Sequence, residues 1–165
     1  MITFSVEPLV GVGPVRIGMS RQETRDALDA PVVSFKKGPS SESLVDAFLE
    51  NAFQVFYDKD DRVEFIELSR NGPFTALYHG ISVFDTTADE LLEAVSRDTD
   101  SDKDRPEQGY SFVFPKAELS LWRQSLPEDE EDDEYDIDGE EYEKPGTYFD
   151  TIGIGTSGYY SRETR

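Results

Sequence analysis

Apolar residues in this chain come in short blocks, each ended by turn chemistry, and that spacing constrains the fold more than any other feature. No block approaches the roughly 20 apolar residues needed to cross a membrane as a helix. Short β-branched and aromatic runs between turn residues favour strands instead. Residues 1–6 read as a first strand, closed by Pro8 and by Gly11-Val12-Gly13-Pro14. The clearest hairpin joins residues 52–57 to 62–68 across Asp58-Lys59-Asp60-Asp61. In its second arm Val63 and Phe65 share one face by alternation, with Glu64, Ile66 and Leu68 on the other. Polar and apolar positions alternate poorly there, so at least one arm is expected to be buried on both faces. Residues 75–78, a hairpin of 110–114 and 118–124 across Pro115-Lys116-Ala117, and residues 148–155 supply the remaining strands. Residues 44–49 fit a short helix or a strand.

Helical signals occur twice. Ser20-Arg21-Gln22-Glu23 is a capping box, in which the serine oxygen accepts from the Glu23 amide while Glu23 reaches back. The helix it opens is expected to run to about Ala30, stopped by Pro31, with Met19, Thr24, Ala27 and Leu28 facing inward. Thr87-Ala88-Asp89-Glu90 repeats the signal ahead of Leu91, Leu92, Ala94 and Val95. Setting Ser20 on Thr87 aligns Glu23 with Glu90, Asp26 with Glu93 and Ala27 with Ala94. The order helix, loop, hairpin, strand is thus met twice. It predicts an α+β single domain of two imperfect helix-plus-antiparallel-hairpin repeats, about residues 15–80 and 81–160, with the helices on one face of the sheet.

Ile17-Gly18-Met19-Ser20-Arg21-Gln22-Glu23-Thr24-Arg25-Asp26-Ala27-Leu28 resembles the Gly-Met-Ser/Thr-x-x-Glu opening of the outer-membrane assembly lipoprotein family BamE. It is similar in the same way to the β-lactamase inhibitory proteins, which are built from two such α/β repeats forming one concave sheet. Asp29 stands where that pattern has glycine, and the second repeat has no Gly-Met pair. The resemblance implies helices laid on one face of antiparallel strands with the other face open. Some toxin-immunity proteins and many uncharacterised bacterial proteins share the look.

Charge narrows the function. The chain carries 36 acidic and 16 basic side chains, a net −20. Nucleic-acid backbone and anionic membranes would repel it, so neither is an expected partner. Twelve of the acids fall within residues 128–143, which contain no Lys or Arg and read as an acidic, flexible insert. Three explanations stay open for that run: a solvated loop, a docking surface for a basic protein, and a cation site. For the last, Glu134-x-Asp136-x-Asp138-Gly139 imitates the start of a calcium loop, but Pro145 occupies the position of its closing bidentate glutamate. Arginine outnumbers lysine, which also fits a haloadapted domain whose acidity has no partner.

Reactive residues are scarce. There is no cysteine and one histidine, His79, so thiolate chemistry and multi-histidine metal sites are excluded, and no cofactor or metal is expected. Gly11-Val12-Gly13 is a poor echo of a dinucleotide fingerprint, since Arg16 takes the third glycine position. His79 would need a nucleophile such as Ser111, Ser120 or Ser157 brought beside it. Residues 1–7 lack the features of a signal peptide, giving a cytoplasmic protein as the expectation.

Trp122 and Arg123 are the binding candidates with the most specific warrant. If Leu119 and Leu121 face the helices, Trp122 lies on the open sheet face, and aromatic and arginine side chains are typical interface anchors. With Glu130, Glu131, Asp132, Asp133, Glu134, Asp136 and Asp138, they define the expected partner-binding set. The favoured reading is a non-catalytic protein-binding module, of the inhibitor or immunity type, for a basic partner. The alternative is a small enzyme or ligand-binding domain using the concave face, with His79, Arg123 or carboxylates as polar contacts.

Overall fold

The computed structural model describes residues 1–36, 38–39, 44–103, 109–129 and 144–160. Strands dominate, in an α+β arrangement with two helices. In chain order they are β1 (Ile2–Glu7), β2 (Gly11–Val12), β3 (Val15–Arg16), α1 (Arg21–Leu28), β4 (Val32–Lys36), β5 (Leu44–Phe48), β6 (Phe53–Tyr57) and β7 (Val63–Ser69). They continue with β8 (Phe74–Tyr78), β9 (Ile81–Ser82), α2 (Ala88–Asp98), β10 (Ser111–Phe114), β11 (Leu119–Trp122) and β12 (Thr151–Gly155).

Two sheets form where one was expected. The larger has the order β10-β11-β12-β7-β6-β5-β4 and is antiparallel throughout. The smaller has the order β3-β2-β1-β8-β9, with β1 and β8 parallel and Ile2 opposite Phe74. An edge-on triangle of rings joins the two. Phe4 of the small sheet lies 5.3 Å from Phe53 of the large one and 5.5 Å from Phe74.

Of the ambiguous residues 44–49, Leu44–Phe48 resolve as strand, and β4, unforeseen in the sequence, pairs with them. As expected, β7 is buried on both faces. Ile66 and Leu68 enter the main core, while Phe65 joins Val113 and Tyr160 on the opposite, outer face. The alternation of Val63 with Phe65 fails at one point. Register shifts between Phe56 and Tyr57, so Val63 pairs with Tyr57 and turns into the core, whereas Phe65 pairs with Phe56 outside. A bulge of this kind flips which face a side chain occupies.

The outer face is partly covered. Tyr159 stacks on Phe65 at 4.7 Å, the rings nearly parallel. The Glu118 carboxylate accepts from the Gly158 and Tyr160 amides, at 2.7 and 3.1 Å, fastening residues 156–160 back onto the β10–β11 hairpin. Gly153 makes room for this: a Cβ there would lie 2.4 Å from the Phe65 ring.

The two helices dock by different physics. Ser20 and Glu23 cap α1 reciprocally, as the sequence predicts, and the helix ends at Asp29 in the left-handed conformation (φ 45°, ψ 50°). Aspartate tolerates that region better than most residues. Of its own residues only Thr24 is buried. What holds α1 is Asp46, fully buried on β5. Arg21 reaches one Asp46 oxygen at 3.0 Å, and Arg25 takes both, at 2.9 and 3.0 Å. Ser34 and Tyr57 hydroxyls donate to the same carboxylate. Arg21 also caps the Tyr57 ring, 4.1 Å from its centre. Burial alone would raise the pKa of Asp46, but the hydrogen bonds from Arg25, Ser34 and Tyr57 and the charge of Arg21 outweigh it and hold the carboxyl below its ordinary value.

By contrast, α2 buries Ala88, Leu91 and Val95 in the same core as Leu119, Leu121, Ile152 and Ile154. Thr87 caps it through the Glu90 amide at 3.4 Å.

Candidate functional site

On β11 the side chains alternate cleanly. Leu119 and Leu121 are wholly buried, and Trp122, facing the other way, is 40% exposed. Its cross-strand neighbours are small: Ser111 on β10 and Thr151 on β12, with Ser120 and Gly153 the next pair along the face. The indole therefore stands between two small hydroxyl side chains, while the Phe65 ring and Tyr160 cover the next pair along.

Arg123, adjacent in sequence, is turned inward. It is 8% exposed. Its Nε donates to the Gly109 carbonyl at 2.7 Å, a terminal nitrogen donates to the Gly146 carbonyl at 2.9 Å, and the guanidinium faces the Phe149 ring at 5.6 Å. Rather than being presented to solvent as an anchor, Arg123 clamps two loops. The β11 strand ends at Trp122, so strict alternation no longer governs the next side chain.

Residues Glu130, Glu131, Asp132, Asp133, Glu134, Asp136 and Asp138 lie outside the described residues. The residues on either side of residues 130–143 are described, and both are moored beside Trp122. Upstream, Asp129 accepts from the Leu126 amide at 3.0 Å and the Tyr110 hydroxyl at 2.8 Å, bonds that hold its carboxyl below the ordinary value. The Tyr110 carbonyl in turn accepts from the Arg123 amide at 2.9 Å. Downstream, Gly146 is held by the Arg123 guanidinium. It packs so tightly that a Cβ would sit 2.0 Å from the Ser125 carbonyl oxygen, and its φ of 86° also favours glycine.

A separate groove of about 860 Å³ opens between the β1–β2 turn, the β8–β9 turn, the end of α2 and the β10–β11 turn. His79 and Gly80 form that second turn, both left-handed, at φ 47° and 80°. A two-residue turn of this kind matches the twist of a hairpin. The Tyr78 hydroxyl donates to Asp98 at 2.6 Å, and His79 Nε2 lies 3.7 Å from the same carboxylate oxygen. Burial, reinforced by Asp98, pushes the Tyr78 hydroxyl well above its ordinary pKa. Lys116 and Thr99 also line the groove.

The serines considered as nucleophiles do not meet His79 at hydrogen-bond distance. Ser111 and Ser120 are on the outer sheet face, where Ser120 accepts from the Tyr160 hydroxyl. Among the described residues no cluster of three or more His, Asp or Glu is arranged to hold a metal ion. No described helix is long and apolar enough to cross a membrane.

The Asp46 cluster is the polar centre that the sequence does not announce. One acid among 36 carries no mark of its own, and the only signal is Arg21 and Arg25 one helical turn apart on a helix with few apolar residues. Compared with known proteins, the chain matches no family model, no curated protein and no solved structure.

Proposed function

We propose that this chain is a non-catalytic protein-binding module, of the inhibitor or immunity type, that takes a basic protein against the outer sheet face at Trp122. The observation that carries this reading is the mooring of both flanks of the acidic run beside an exposed tryptophan, through Tyr110 and Arg123. Such a site combines a large aromatic anchor with a local source of negative potential. The first supplies affinity on desolvation, the second speeds encounter with a cationic surface. Arg123 belongs to this site as a positioning residue that ties the loops together.

The architecture we infer beneath it is two imperfect repeats with both helices on the inner face. Its support is that β7 and β12, the last strands that the two halves give to the large sheet, pair at its middle, and that Leu28 of α1 packs against the core in which Leu91 of α2 is buried.

Trp122 is the chain's one tryptophan, so its emission reads the site directly. The test is capture from host lysate with the intact chain, with Trp122→Ala and with residues 128–143 neutralised to Asn and Gln, followed by titration of whatever the intact chain retains. A basic protein that blue-shifts Trp122, binds Trp122→Ala at least about 30-fold more weakly and associates more slowly with the neutralised chain is the expected result. Equal retention by Trp122→Ala would sink the proposal. A ligand that leaves Trp122 unmoved but shifts the single imidazole signal of His79 would favour a small-molecule site in the groove instead. Strong stabilisation by molar salt with no partner retained would favour haloadaptation.

A further inference from the structure

Sheet edges invite pairing with other chains, and proteins ordinarily shorten, twist or cover them. Among the described residues there are four. Two, β3 and β9, are two residues long. A third, β10, is covered, because the Asp102 amide donates to the Val113 carbonyl at 2.7 Å from outside the sheet. The fourth, β4, is five residues long, has no bulge and contains no proline. Among the described residues its outer side has no strand and no backbone hydrogen bond against it. It is also the most apolar exposed segment of the large sheet, with Val33 60% and Phe35 38% accessible.

We propose that β4 is a homodimerisation edge, pairing antiparallel with β4 of a second copy about a twofold axis at Ser34, so that the two large sheets become one. The occupant follows from self-complementarity. In that register Val33 meets Phe35 of the second copy, and Phe35 meets its Val33, on the outer face. Two β-branched–aromatic cross-strand pairs thus form from side chains now in water. Val32 lies opposite Lys36 of the second copy, which brings exposed Asp29, just before the strand, toward that lysine's ammonium. The same patch serves both copies, as a twofold interface requires.

Charge does not oppose it locally, although each copy carries a net −20. Beside Ser34 at the axis, the buried Asp46 is paired with Arg21 and Arg25. The one charged residue of β4 itself is Lys36, which is cationic. The outer ends of the two sheets, where β11 carries Trp122, stay far from the axis, so this contact stands independently of the partner proposed above.

The absence of cysteine allows a direct test on the full chain. Sedimentation equilibrium from about 1 to 200 μM in 0.15 M salt is expected to show a monomer–dimer equilibrium, with dissociation constant in the micromolar range typical of modest interfaces. Val33→Lys with Phe35→Lys should raise that constant at least about tenfold while circular dichroism stays unchanged. As a second variant, Val33→Cys with Phe35→Cys should oxidise to a covalent dimer through 33–35 crosslinks, because the paired positions approach within disulfide reach. A monomer at every concentration with no crosslinked dimer would overturn the proposal. So would a dimer that survives the lysine pair and yields no crosslink, since it must then use another surface.

Discussion

The two helices begin alike and are held by opposite means. Each starts at a hydroxyl cap with a glutamate three residues on. From there α2 is seated by side chains that water expels, with Leu91 and Val95 wholly buried, and α1 by a carboxylate that two arginines, a serine and a tyrosine surround. The lesson is that similar local sequence signals do not fix how a helix is attached. Apolar seating tolerates changes of pH and salt and is broken by lost volume. Polar seating tolerates lost volume at its rim and is broken by lost charge.

The largest effect should come from α2. Leu91→Ala removes a fully buried side chain and is expected to cost about 3 kcal/mol, read by urea unfolding, with the same loss at pH 7 and pH 4. A loss under about 1 kcal/mol would show that the helix is not seated by that leucine.

Next comes Asp46→Asn, which leaves two arginines facing a neutral amide. We expect roughly 2 kcal/mol at pH 7, below the usual figure for breaking a buried pair because Arg21 and Arg25 keep partial access to water. Here pH discriminates. The folded state lowers the pKa of Asp46, so its contribution is full above the unfolded value of about 3.9 and disappears as pH falls from there through the folded value. The gap between the parent and Asp46→Asn should therefore close on acidification, whereas the Leu91→Ala gap should not. Measured as a difference, the remaining carboxylates cancel. A gap that stays constant however far the pH is lowered while both proteins remain folded would mean that Asp46 acts by shape alone.

The smallest effect lies in the caps. Ser20→Ala breaks a reciprocal pair and should cost about 1 kcal/mol, while Thr87→Ala removes one long bond and should cost about half of that. Thermal unfolding of the two variants side by side checks the order, and a reversed order would show that reciprocity adds nothing here.

Much of this was legible in the sequence, and the pattern of success follows range. Caps and hairpins are decided by neighbours, so both helices and the β6–β7 and β10–β11 hairpins could be read directly. Alternation puts Trp122 on the face opposite Leu119 and Leu121, but leaves open which of the two faces is the core. What escaped depends on distant partners. Val32-Val33-Ser34-Phe35-Lys36 has no regular alternation and becomes a strand only beside β5. The two-residue strands β2, β3 and β9 are too short to signal. The inward turn of Arg123 is set by carbonyls at Gly109 and Gly146, and the burial of Asp46 by a helix that precedes it.

The parallel pairing of β1 with β8 sets an order of assembly. Strands β4 to β7 each lie next to their chain neighbour and can zip up as they are made. Strand β1 meets its chain neighbour β2 at Val6 and Val12, but its other side must wait, because Ile2 pairs with Phe74, and closing so wide a ring is entropically slow compared with closing a hairpin. During synthesis Phe4 therefore travels without its β8 neighbour Ala76 until the meander is complete. The β8-facing side of β1 should stay sticky in the meantime, and its docking should be among the late events of folding.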